Sequence, residues 1–197
     1  MNTETKRAVI LHGTDGRPSH NWQPWARQIF TEAGYDVLQP ELPGNHTPNQ
    51  QIYNDFLFGQ NWDFTDNVLI GHSSGATAIL NLLMDSRCPQ IKTAVLVGTF
   101  LEVTQEILDA GWYEQGQFDG LFPAEGFDWG VIKQKCPKFY FVHGSDDPVC
   151  PIELAQKAAD TIGGKFIVIQ SGGHLTRGTN TLNIPPLLEV LKSDNIL

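Results

Sequence analysis

Six short apolar runs punctuate the chain, and none of them alternates cleanly with polar residues. They lie near Ala8 to His12, Asp36 to Gln39, Val68 to Gly71, Thr93 to Gly98, Phe139 to His143 and Phe166 to Ile169. A strand with one wet face alternates apolar with polar. A run of Val, Ile, Leu and Phe without that alternation fits a parallel sheet covered on both sides. Between the runs, apolar positions recur at helical spacing near Trp22 to Ala33, Asn49 to Gly59, Ser74 to Asp85, Ile152 to Ile162 and Thr181 to Lys192. The alternation of strand and helix predicts an α/β three-layer sandwich around a mostly parallel six-stranded sheet.

The 197 residues fit a single domain, 1–197, and no repeat or low-complexity linker divides them. The pattern breaks only between Thr99 and Lys135, where glycines sit among Trp112, Tyr113, Phe118, Phe122, Phe127 and Trp129. This segment reads as a long crossover with one or two short helices, and as a possible small cap, because loops after strands carry function in such folds.

Charge removes several classes of partner. A formal net charge of -9 argues against nucleic acid and against an anionic membrane surface. The polar start of the chain is not expected to act as a secretion signal, and no run approaches the length of a membrane span. Cys88, Cys136 and Cys150 cannot all pair and match no metal or redox spacing, so reduced thiols and a cytoplasmic location are expected.

The chemistry concentrates at Gly71-His72-Ser73-Ser74-Gly75, entered from the apolar run Asn67-Val68-Leu69-Ile70 and left through the helical run Ala76 to Met84. Strand, G-x-S-x-G, helix is the context of a nucleophile elbow, which makes Ser73 the candidate nucleophile. A serine hydroxyl is weakly nucleophilic at neutral pH and needs a base, itself oriented by a carboxylate. Candidates follow in the order Ser, acid, His of the α/β hydrolases, each after a later strand. Asp146 and Asp147 follow the run ending at His143, and His174 follows the run ending at Ile169. Asp147 is preferred as the acid because Pro148 holds it extended, while Asp146 faces solvent or caps the loop. His12, His20, His46, His72 and His143 lack a comparable place in that order.

An oxyanion needs two backbone N–H donors. Ser74 supplies one at the helix N-terminus, and Thr14 in the loop His12-Gly13-Thr14-Asp15-Gly16 is the choice for the other. That glycine loop lacks the lysine of a phosphate-binding motif, and no H-E-x-x-H is present. Neither a cofactor nor a metal is expected. The substrate expected is a small ester or amide, with the aromatic stretch Phe118 to Trp129 as a wall for an apolar group.

With these residues in view, the chain resembles the retinoblastoma-binding-protein-9-like serine hydrolases, a branch of the α/β-hydrolase superfamily. The resemblance runs nearly full length, through Asn21-Trp22-Gln23-Pro24-Trp25, Ile70-Gly71-His72-Ser73-Ser74-Gly75-Ala76, Ala94-Val95-Leu96-Val97, Asp128-Trp129-Gly130-Val131-Ile132-Lys133, Ser145-Asp146-Asp147-Pro148 and Gly173-His174. It implies nucleophile Ser73, acid Asp147 and base His174, in a compact α/β-hydrolase fold without a large lid. The opening loop departs from the family's glycine-richer version. The resemblance implies serine-hydrolase chemistry and no particular metabolite, and the reaction expected is acyl transfer from small carboxylic esters to water. Amidase, thioesterase or peptidase activity on the same residues stays open, as does a binding scaffold that keeps the hydrolase fold. No residue marks a protein partner.

Overall fold

In the computed structural model, which describes residues 5–109, 114–176, 178 and 181–197, each apolar run becomes a strand. The order is β1 (Lys6–Leu11), α1 (Gln23–Glu32), β2 (Tyr35–Leu38), α2 (Gln50–Phe58), β3 (Val68–His72), α3 (Ser74–Met84), β4 (Thr93–Val97), α4 (Gln105–Asp109), α5 (Trp129–Lys135), β5 (Phe139–Gly144), α6 (Ile152–Ile162), β6 (Lys165–Ile169) and α7 (Pro185–Ser193). The strands lie in the order β2-β1-β3-β4-β5-β6. Every neighbouring pair is parallel, so the sheet is wholly rather than mostly parallel.

The missing polar alternation now has its cause. Along β1, Val9 and Leu11 face one core while Ala8 and Ile10 face the other. Strand β3 divides the same way, with Leu69 on one side and Val68 and Ile70 on the other. The first core is closed by α2, α3, α5 and α6, and the second by α1 and α7. Burying each Val, Leu or Ile in such a layer stabilises the fold by about 1.5–3 kcal/mol, so a polar residue on either face would be costly. Helix α7 starts later than its periodicity suggests. Pro185 and Pro186 stand at its first turn, and Ile184 before them is kept out of the helical region (φ -131°, ψ 77°).

The crossover between β4 and β5 contains α4 and α5. Its first half builds a small separate core in which Phe100, Ile107, Phe118 and Leu121 pack with Cys150. Hydrogen bonds from the Gln50 N–H to the Gly120 carbonyl (2.7 Å) and from Asn81 Nδ2 to the Leu121 carbonyl (2.7 Å) tie it to α2 and α3. Phe127 and Trp129 instead pack against the main core, with ring centroids 5.5 Å apart. Trp112 and Tyr113 lie outside the described residues. No helix among the described residues is long and apolar enough to cross a membrane.

Strand β1 sits between β2 and β3, so the winding of the chain reverses beside it. Clefts form at the carboxyl ends of strands at such a point. The loop after β1 and the turn after β3 meet there.

Candidate active site

The turn between β3 and α3 places Ser73 at φ 55° and ψ -123°, a left-handed conformation that side chains rarely adopt. The strain is held by packing on both sides. A Cβ on Gly71 would lie 2.5 Å from the Gly75 carbonyl oxygen, and one on Gly75 would lie 2.4 Å from the His12 carbonyl oxygen. Strand, turn and helix therefore approach at a distance that only glycine permits. The Ser73 N–H donates to the Val97 carbonyl at 2.8 Å, which locks the serine backbone to β4. Ser73 keeps 9% of its surface exposed.

The loop after β1 lies directly against this turn. A Cβ on Gly13 would come within 2.9 Å of the Ser73 Cβ. Thr14 Oγ1 and Ser74 Oγ are hydrogen-bonded at 2.9 Å, so the two residues expected to supply oxyanion donors are tied together beside the serine.

Asp147 and His174 meet across 27 residues of sequence. His174 Nδ1 lies 2.9 Å from Asp147 Oδ2 and 3.1 Å from Oδ1. An ionised carboxylate only accepts, so Nδ1 carries the hydrogen and Nε2 keeps its lone pair. The Asp147 side chain is fully buried, and its Oδ1 also accepts the N–H groups of Val149 (2.8 Å) and Cys150 (3.0 Å). Burial pushes its pKa up, but the hydrogen bond and charge of His174, with the two backbone donors, hold it below the ordinary carboxylate range. Asp146 does different work: its Oδ1 accepts the Gly173 N–H at 2.8 Å and fixes the loop that carries His174.

Four of the remaining histidines have defined partners for their side chains. His72 Nε2 lies 2.9 Å from the His174 carbonyl, and a carbonyl only accepts, so Nε2–H donates. Its ring centroid is 4.9 Å from that of His174. Burial pushes its pKa down to about 3, and the His174 ring adds to the effect. His143 Nε2 accepts the Thr99 N–H at 2.9 Å, and burial lowers its pKa to about 4. His12 Nε2 accepts the Leu42 N–H at 2.9 Å, and burial lowers its pKa too. His46 pairs with Asp15 at 3.0 Å and Glu114 at 3.4 Å, partners that the sequence did not imply.

Ser73 and His174 line one cavity of about 210 Å3. Its apolar wall is Phe100, Phe118 and Val149. Of the stretch Phe118 to Trp129 only Phe118 takes part; Phe100 and Val149 were missed because sequence spacing carries no signal for them. Thr77 Oγ1 donates to the Phe100 carbonyl and fixes that wall to α3.

Among the described residues, one trio has atoms close enough to share a metal ion: Asp147, Cys150 and His174, within 4.8 Å. Their donors are already engaged, because Asp147 holds His174 and two backbone N–H groups. Burial also raises the Cys150 pKa well above the ordinary thiol value, so the thiolate a metal needs is disfavoured. The trio fits a proton-transfer pair better than a metal site.

Comparison with known proteins shows the family and the fold. The family model described as serine hydrolase matches residues 8–193. The chain is 28% identical over 196 residues to serine hydrolase RBBP9 of Rattus norvegicus, covering 98% of this chain and 97% of that protein. The solved structure of the ydeN gene product of B. subtilis matches with a TM-score of 0.83 at 21% identity, over 96% of this chain and 98% of that one. A carboxylesterase structure from the thaumarchaeon Nitrososphaera gargenis matches with a TM-score of 0.70 at 14% identity, over 98% of this chain and 90% of that one. These structural likenesses establish the α/β-hydrolase fold.

Proposed function

The chain belongs to the serine hydrolase family, and on that premise we propose that it cleaves small carboxylic esters through an acyl-serine intermediate. Ser73 Oγ attacks the ester carbonyl and passes its proton to His174 Nε2. Asp147 steadies the imidazolium through Nδ1, and the N–H groups of Thr14 and Ser74 hold the oxyanion. The tetrahedral intermediate collapses, the proton moves from Nε2 to the leaving alkoxide, and the alcohol departs. Water then enters, with Nε2 again as base, and the acid is released.

One observation carries the reading. A serine held in a strained turn shares a cavity with an imidazole whose far nitrogen is fixed by a buried carboxylate. The apolar wall of Phe100, Phe118 and Val149 suits a short acyl chain. The crossover segment that carries Phe100 and Phe118 acts in this reading as a small cap.

A fluorophosphonate probe tests the serine. Labelling is expected for the wild type and lost in Ser73→Ala; absence of labelling in folded wild type overturns the proposal and favours a binding role for the fold. A panel of p-nitrophenyl esters against thioesters and aminoacyl amides tests the substrate class. Faster turnover of amides would move the assignment to an amidase on the same residues.

A further inference from the structure

A second cavity of about 150 Å3 also reaches Ser73 and His174. Both cavities share Thr14, Asp15, Ser73 and His174, and then their walls diverge. One continues to the apolar wall described above. The other runs to His20, Asn21, Gln23 and Thr176, with no aliphatic or aromatic hydrocarbon side chain on its lining.

Two acceptors stand at this polar cavity. Gln23, the first residue of α1, is 1% exposed, and its buried Oε1 has no hydrogen-bond partner. His72 also lines the cavity. Its Nε2–H is committed to the His174 carbonyl, and burial keeps the ring neutral, so Nδ1 retains a lone pair. A buried acceptor left unpaired, as Gln23 Oε1 is, is costly, whereas one that meets a ligand donor becomes a source of selectivity. Both groups are uncharged acceptors, so a neutral O–H donor satisfies each of them.

We propose that this cavity receives the leaving alcohol and selects one that carries hydroxyl groups of its own. At about 30 Å3 for each water-sized group, its volume holds about five heavy atoms beyond the ester oxygen, the size of a short polyol. In the acylation step the Ser73 Oγ–carbon bond forms and the ester carbon–oxygen bond breaks. The serine proton travels through His174 Nε2 to the departing oxygen, and the free hydroxyls donate to Gln23 Oε1 and His72 Nδ1. The inference rests on Ser73 being the acyl acceptor.

Two esters of one acid separate the cases: propyl butyrate and 2,3-dihydroxypropyl butyrate. The wild type is expected to favour the dihydroxy ester by at least about fivefold in kcat/KM. Gln23→Met, close in volume but without the amide, is expected to lose most of that preference while its propyl ester turnover stays within about twofold. Equal turnover of the two esters by wild type, which needs no variant to fold, overturns the proposal. So does a preference that survives in Gln23→Met. Hydrolysis of neither ester by protein whose Ser73 still takes the phosphonate also overturns it. The serine reading falls only if that labelling fails.

Discussion

Asparagine in place of Asp147 changes one atom in a fully buried side chain, and the structure dictates which way the new group must turn. Oδ1 accepts two backbone N–H groups, from Val149 at 2.8 Å and Cys150 at 3.0 Å. Turning an amide NH2 toward them would leave two buried donors unpaired at about 1–3 kcal/mol each. The asparagine carbonyl therefore keeps the Oδ1 place, and its NH2 takes the place of Oδ2, which lies 2.9 Å from His174 Nδ1. A donor there, nearer than the retained carbonyl at 3.1 Å, favours the tautomer with its hydrogen on Nε2, which then has no lone pair to accept the serine proton. Loss of about 10^4 in kcat is expected from this tautomer change, about 5.5 kcal/mol of barrier. Asp146→Asn is the matched control. Its Oδ1 accepts the Gly173 N–H at 2.8 Å, and an asparagine carbonyl keeps that bond. Its loss is expected to stay within about tenfold, since at most the charge-assisted part of one hydrogen bond goes. Initial rates on p-nitrophenyl butyrate, with thermal melts to show both variants folded, give the comparison. An Asp147→Asn enzyme within tenfold of wild type, or one no worse than Asp146→Asn, would refute the reasoning.

Two further outcomes follow from packing and from buried charge. Gly75→Ala would drive a Cβ to 2.4 Å from the His12 carbonyl oxygen and 2.7 Å from that of Leu11. Both contacts are backbone atoms at the end of β1, which leaves little room to relax, so destabilisation of about 3 kcal/mol is expected in urea unfolding; a change below about 1 kcal/mol would contradict it. His72 and His143 are buried and neutral, with pKa values lowered to about 3 and about 4 by burial. Their unfolded values stand near ~6.5. Stability from the neutral rings is complete above that pH and is lost as pH falls toward the folded values, because only the unfolded chain then takes up protons. At about pH 5 each ring costs about 2 kcal/mol, before most carboxylates titrate. The Tm should drop between about pH 6.5 and 5, and His143→Gln should flatten the slope; a flat profile in wild type would count against the neutral, buried rings.

Much of the fold is legible in the residues one by one. Runs such as Ala94-Val95-Leu96-Val97 name a strand buried on both faces, since Ala94 and Leu96 enter one core while Val95 and Val97 enter the other. Gly71, Ser73 and Gly75 name a turn too tight for other residues, and their spacing is a local property of the chain. The chain order of Ser73, Asp147 and His174 follows from which strand ends carry a serine, a carboxylate and an imidazole.

Tertiary structure decided what each of those groups faces. Asp146 and Asp147 are neighbours with the same side chain, and only the path of the loop sends one to the Gly173 N–H and the other to the His174 ring. His72 gains its role from a carbonyl 102 residues away, and the cavity walls join Phe100 to Val149 and Gln23 to Thr176. Turn and strand preferences act over a few residues, through backbone sterics and a repeating pattern of burial. Contacts between distant side chains depend on how the layers pack, and no short-range pattern in the chain encodes that.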